Sequence, residues 1–179
     1  MRKLRWVEKT PRHIYRIGEI LNYFPEARIL LMLRDGRDVA CSIRERYGSL
    51  EAGIDRWIDD NQAGRSFWTH PNVRIVRYEE LVTEFKKTVR GVTKFVGENY
   101  EDSLSHFHET PKYYFSPRIG KPPNRLGDNH DQYRNWQINQ PLFDGRGKWR
   151  QLTKEEKQLI KDKAGEMLIK YGYAADLDW

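Results

Sequence analysis

The segment from Ala27 to Ser42 holds the residues best spaced for chemistry. The apolar run Ile29-Leu30-Leu31-Met32-Leu33 ends in Arg34, and Asp35 and Gly36 supply a tight turn. A helix is expected from about Arg37 to Tyr47. In an open α/β sheet, ligands bind beyond the carboxyl ends of the strands, where a following helix turns unpaired N–H groups and the positive end of its dipole toward an anion. Ser42 stands eight residues after Arg34, about two turns into that helix. Arg46 lies one further turn along on the same face. A guanidinium can hold a phosphate by two parallel hydrogen bonds, and a serine hydroxyl adds a donor. The same residues also fit a structural set, with the arginine paired to Asp35 or Asp38 and the serine turned to solvent. Chemistry alone leaves these two readings even.

The elements that must carry this segment follow from hydrophobic spacing. Leu4 to Val7 is a short apolar stretch that fits a strand. Pro11 suits the start of a helix that runs to Phe24, with Ile14, Ile17, Ile20 and Leu21 at helical intervals and Pro25 as its stop. Ala27 to Leu33 has no alternation, as in a strand buried on both faces. Further helices are expected over Leu50–Trp68 and Leu81–Val96, with a strand over Val73–Tyr78 between them. Thr153 and Glu156 form a capping box for a last helix that ends near Tyr171, before Gly172. The order is that of a three-layer α/β/α protein with a short parallel sheet. One domain over 1–179 is expected. Within it, 100–150 is rich in proline and glycine and reads as an irregular lid or substrate region.

Composition narrows the partners. Six Trp, ten Tyr and seven Phe give ample apolar area and argue against disorder. The net charge of +6 favours an anionic partner. Acidic residues are interleaved with the basic ones, which disfavours nucleic acid. The single cysteine, Cys41, excludes an intrachain disulfide. With no apolar run long enough for a bilayer and no signal-peptide pattern, a soluble cytoplasmic protein without a membrane role is expected.

Arg34 through Ser42 resembles the 3′-phosphate motif of sulfotransferases that use 3′-phosphoadenosine-5′-phosphosulfate (PAPS), with wording closest to bacterial and tyrosylprotein-type members. The resemblance implies that Arg34 and Ser42 hold the nucleotide's 3′-phosphate and that Arg46 adds a contact. Glu8-Lys9-Thr10-Pro11 resembles the family's Lys-Thr-Pro element, which places Lys9 near the transferred sulfuryl group. Arg77 through Leu81 resembles the family's Tyr-Glu-Asp/Gln-Leu element and places Tyr78 beside the adenosine. Gly147 through Arg150, followed by Leu152 and Thr153, is similar to the element before the family's final helix. It brings Lys148, Trp149 and Arg150 toward the nucleotide. Lys9, Tyr78 and Trp149 each fit an ordinary structural role as well.

The implied reaction is transfer of a sulfuryl group from PAPS, leaving PAP (3′-phosphoadenosine-5′-phosphate), to a hydroxyl or amine of a small-molecule, sugar, lipid or peptide acceptor. Such a transfer needs a base for the acceptor's proton, and Glu8 and His13 are the local candidates. His106 and His108 alternate, but no third ligand stands at a metal-site spacing, so no metal is expected. Asn124 to Trp136 mixes basic and aromatic residues, which suits a substrate lid. Only eight residues precede Lys9, none forming the family's glycine-rich 5′-phosphosulfate loop. The chain is therefore expected to have the P-loop-NTPase-like sulfotransferase fold without its first β-α unit, and to self-associate through an exposed sheet edge. A catalytically inactive PAP- or PAPS-binding or interaction module derived from the family is the alternative.

Overall fold

The computed structural model describes residues 5–119 and 130–179. Strands β1 (Ile29–Leu33) and β2 (Val73–Arg77) form a parallel pair, with Ile29 opposite Val73 and Leu33 opposite Arg77. Seven α-helices are assigned among the described residues: α1 (Ile17–Tyr23), α2 (Gly36–Tyr47), α3 (Leu50–Arg65), α4 (Tyr78–Thr83), α5 (Phe85–Val96), α6 (His130–Ile138) and α7 (Lys154–Lys170). The expected α/β architecture is present, with helices on both sides of the sheet.

Its layers follow from the register. Paired residues in a parallel sheet share a face. Leu33 joins the buried core of Ala40, Ile54, Trp57, Ile160 and Leu168, and Ile75 packs against the same cluster. That core is built mainly by α2, α3 and α7. Burying one side chain such as Ile54 or Ile160, both fully enclosed, contributes about 1.5–3 kcal/mol. A Cβ on Gly53 would meet the Cα of Ala40 at 2.8 Å, so the absent side chain is what lets α3 lie against α2. On the opposite face Arg74 reaches over α5 at Gly91, and Val76 is buried.

β1 is not buried on both faces. Leu30 is 40% and Met32 56% exposed, because α5 covers the β2 side of that face and not the β1 side. An all-apolar strand hides such an alternation from sequence patterning. The second edge of β1 has no strand partner among the described residues. Residues 5–7 form no strand either, and Leu4 lies outside the described residues. Instead Trp6 packs edge-on against Phe24 with centroids 6.1 Å apart, and Arg5 pairs with Glu98 at 2.7 Å.

Other boundaries move less. The helix that starts at Pro11 opens as a 3-10 turn, Pro11–Arg16, before α1. Tyr78 begins α4 and does not end β2. The Thr153 box forms as expected, with the Glu156 amide donating to Thr153 Oγ1 at 3.2 Å and the Thr153 amide to Glu156 Oε2 at 3.0 Å. Within 100–150 the chain is more regular than its proline and glycine suggest. It holds α6 and two 3-10 turns, Asp102–His106 and Lys148–Gln151. Much of the lid sequence, residues 120–129, lies outside the described residues.

Candidate functional site

Arg34 leaves the end of β1 and is held there by its own carbonyl, which accepts a 2.9 Å hydrogen bond from Trp57 Nε1. Its guanidinium lies 4.4 Å above the Tyr78 ring. Nη2 donates to the Gly145 carbonyl at 2.6 Å, while the buried Nε has no partner among the described residues. The Tyr78 hydroxyl donates to the Phe143 carbonyl and accepts from the Gly145 amide at 3.0 Å. Arg34 and Tyr78, 44 positions apart in sequence, thus share one site with the 143–145 strand of loop.

The other charges of the motif have structural partners. Asp35 caps α2, accepting the Arg37 amide at 3.0 Å, and forms an ion pair with the Arg37 guanidinium at 2.7 Å. That guanidinium also donates to the Tyr173 carbonyl at 2.6 Å and lies between Trp149, at 3.9 Å, and Trp179, at 4.6 Å. Asp38 is 2% exposed and accepts the amides of Gly147 at 2.8 Å and Trp149 at 3.3 Å. Gly147 reaches it with φ of 79°, a left-handed conformation that favours glycine. The paired arginine of the motif is therefore Arg37, and Arg34 is left to the site.

Beside this framework lies a cavity of about 460 Å³, lined in part by Asp35, Glu79, Asp144, Arg146, Trp149 and Arg150. Glu79 accepts the Asp35 amide at 2.9 Å and the Tyr173 hydroxyl at 3.3 Å. Burial first, and then the Glu79 charge, push that hydroxyl's pKa well above the usual phenol value. Arg146 donates to Asp144 at 2.8 Å and holds the Asp144 carboxyl down at about 2.

The remaining sequence candidates fall into two groups. Ser42 and Arg46 are exposed on α2, where Arg46 stacks 4.9 Å from the Tyr133 ring of α6. Lys148 pairs with Glu45 at 2.7 Å, Trp149 packs edge-on against Trp179 at 5.4 Å, and Arg150 is exposed at the cavity rim. In the second group, Glu8 Oε2 meets His13 Nδ1 at 2.7 Å, and Glu8 Oε1 accepts from Thr10 Oγ1 at 2.6 Å. Lys9 has its pKa lowered by burial and then by the nearby Arg134 charge, partly offset by Glu8. Tyr133 of α6 thus meets the first group at Arg46, and the charge of the next residue, Arg134, acts on Lys9 of the second. His106 pairs with Glu109 at 2.7 Å, and no metal-ligating cluster occurs among the described residues.

Sequence reasoning missed the 143–146 loop and Glu79, whereas Tyr133 and Arg134 fall in the Asn124–Trp136 stretch read as a substrate lid. Arg146, between two glycines next to Lys148, carried a visible signal. The Glu79 bridge carried none, since its partners are an amide and a distant tyrosine.

The sulfotransferase family matches residues 2–102, and the chain belongs to that family. An uncharacterized protein of Aquifex aeolicus (strain VF5) is 26% identical over 121 residues, covering 60% of this chain and 16% of the relative. The mouse sulfotransferase SULT7A1, solved with PAP, superposes with a TM-score of 0.53 at 17% identity, covering 86% of this chain and 65% of that one. The chain thus spans under two thirds of either protein's length, and the structural likeness defines a shared fold. No helix among the described residues is long and apolar enough to cross a membrane.

Proposed function

We propose that this chain binds PAPS, with its 3′-phosphate held by Arg34 and Ser42, and transfers the sulfuryl group to a hydroxyl or amine acceptor. The supporting observation is the state of Arg34. Its Nε is buried and has no partner among the described residues, while its Nη2 rests on the Gly145 carbonyl. A buried donor without a partner costs about 1–3 kcal/mol, and a phosphate would satisfy it. The residues present therefore fit a phosphate at this place.

In this reading Arg46 adds charge on the solvent side of α2, and Tyr78 offers its ring beside the guanidinium for the adenosine. Lys148 and Arg150 supply further cations at the rim, while Trp149 mainly fixes Arg37. Lys9 stabilises the charge that develops on the transferring group. A proton leaving the acceptor passes to His13, whose tautomer is set by Glu8.

Equilibrium dialysis with PAP tests the site. Arg34→Ala is expected to abolish binding that the wild-type chain shows, and unchanged binding would remove Arg34 from the site. The alternative is a module of the same family that binds PAP or PAPS and transfers nothing. Conversion of PAPS to PAP by the purified chain, dependent on a hydroxyl acceptor, would eliminate it. The edge of β1 that has no strand partner among the described residues, with Leu30 and Met32 exposed beside it, supports self-association as part of the same proposal. Sedimentation at increasing concentration measures that directly.

A further inference from the structure

The β1–β2 ladder ends at Leu33 and Arg77, so Arg34 and Tyr78 are the first residues beyond it. Past the end of a ladder two parallel chains are free to part. The 4.4 Å stacking of the Arg34 guanidinium on the Tyr78 ring depends on how far they do. One peptide group decides it. The carbonyl of the Arg34–Asp35 peptide accepts from Trp57 Nε1 at 2.9 Å, and the N–H of the same peptide donates to Glu79 Oε1 at 2.9 Å. The peptide plane is therefore held at both ends, from α3 on one side and from the first turn of α4 on the other. A planar peptide fixed in this way sets ψ of Arg34, and with it the course of the chain that carries the guanidinium.

Glu79 is itself held. Its second oxygen accepts from the Tyr173 hydroxyl at 3.3 Å. The Tyr173 carbonyl accepts from Arg37 at 2.6 Å, and Arg37 is ion-paired to Asp35. The Arg77 guanidinium lies 4.9 Å from the Tyr173 ring and donates to the Tyr171 carbonyl at 2.6 Å. The segment after α7 thus aims the Glu79 carboxylate at the Asp35 amide. Glu79 also lines the cavity beside Arg34, where its negative charge opposes a phosphate. What favours an acidic residue there is the charge-assisted bond it makes to the backbone.

We infer that Glu79 is a positioning residue for the nucleotide site: through the Asp35 amide it keeps the Arg34 guanidinium over Tyr78, and Tyr173 holds its carboxylate in place. This rests on the reading that Arg34 receives the 3′-phosphate. What the site needs from residue 79 is an acceptor oxygen. A glutamine supplies one, and its amide group can donate to the Tyr173 hydroxyl in turn.

Glu79→Gln, Glu79→Ala and Tyr173→Phe test this in the full chain. Proton–nitrogen correlation spectra of the ligand-free protein report the Asp35 amide and the Arg34 Nε–H. Glu79→Ala should move both signals although Arg34 is unchanged, and Tyr173→Phe should move them less and in the same direction. Glu79→Gln should leave the Arg34 signal close to its wild-type place. In equilibrium dialysis with PAP, Glu79→Ala should bind about tenfold and Tyr173→Phe about twofold more weakly than wild type, the loss of one aligning bond. Glu79→Gln should bind at least as tightly as wild type, since the acceptor stays and a negative charge goes. A role confined to stability would lower the urea midpoint and leave the Arg34 Nε–H of the folded chain where it was. An Arg34 signal unmoved in Glu79→Ala, or unmoved in Tyr173→Phe should the alanine variant not fold, would overturn the inference. So would Glu79→Gln binding PAP as weakly as Glu79→Ala. Absence of PAP binding by the wild-type chain removes the nucleotide reading alone, because the ligand-free spectra still decide whether Glu79 positions Arg34.

Discussion

Replacing Asp38 with alanine is expected to loosen the whole segment before α7. The Asp38 carboxylate is buried and accepts the amides of Gly147 and Trp149, which stand 109 and 111 positions away in sequence. Each such bond contributes about 1–1.5 kcal/mol net, so the pair contributes about 2–3 kcal/mol. The amides open onto the cavity and can recover some water, which keeps the loss near the lower figure. With a urea dependence of about 2 kcal/mol per molar, the unfolding midpoint should fall by about 1 M. Loss of the clamp should also free Trp149 from Arg37, a contact of 3.9 Å, and shift its fluorescence to the red. Urea unfolding followed by tryptophan emission measures both. A midpoint within 0.2 M of wild type, a bound of about 0.4 kcal/mol, would refute the claim that Asp38 anchors the 147–149 segment.

Four further outcomes follow from the same geometry. Gly36→Ala places a Cβ 2.6 Å from the Trp57 ring, so it should cost about 1–3 kcal/mol in the same urea assay. Gly145→Ala would put a Cβ 2.9 Å from Arg34 Nη2; displacing that side chain should weaken PAP binding several-fold in dialysis while stability changes little. The Asp144 carboxyl is depressed to about 2 by Arg146, so its ion pair is present at any pH above the unfolded carboxylate value near 4. The pair is lost as pH falls through about 2, which carboxyl-carbon NMR can follow. His13→Gln should lower the rate of sulfuryl transfer at saturating PAPS and leave PAP affinity unchanged, and a parallel loss of affinity would place His13 outside the base role.

Local signals in the sequence were read well where a local rule governs them. The Thr153–Glu156 box, the α2 start after Asp35 and the course of α3 each depend on residues within one or two turns. The Arg34–Tyr78 pairing was legible only through family resemblance, because nothing in either neighbourhood encodes their meeting. β1 was misread since five apolar residues in a row carry no record of which face is covered, and the register with β2 decides that α5 leaves Leu30 and Met32 bare. α6 was hidden by the proline- and glycine-rich sequence before it. Its tie to the 112–118 loop runs through Asn135 and Asn139, residues that sequence reasoning assigns to turns as readily as to clamps. Arg37 and Asp38 stand in the same short motif as Arg34. Only their distant partners, Tyr173 and Gly147, show that they hold the frame.

The central claim is that the Arg34 end of β1 receives a 3′-phosphate. Calorimetric titration of the purified chain with PAP, and separately with 5′-AMP, tests it most directly. The account predicts micromolar binding of PAP and none of 5′-AMP at the same concentrations. Equal binding of the two nucleotides, or no binding of PAP by a chain shown to be folded, would contradict it.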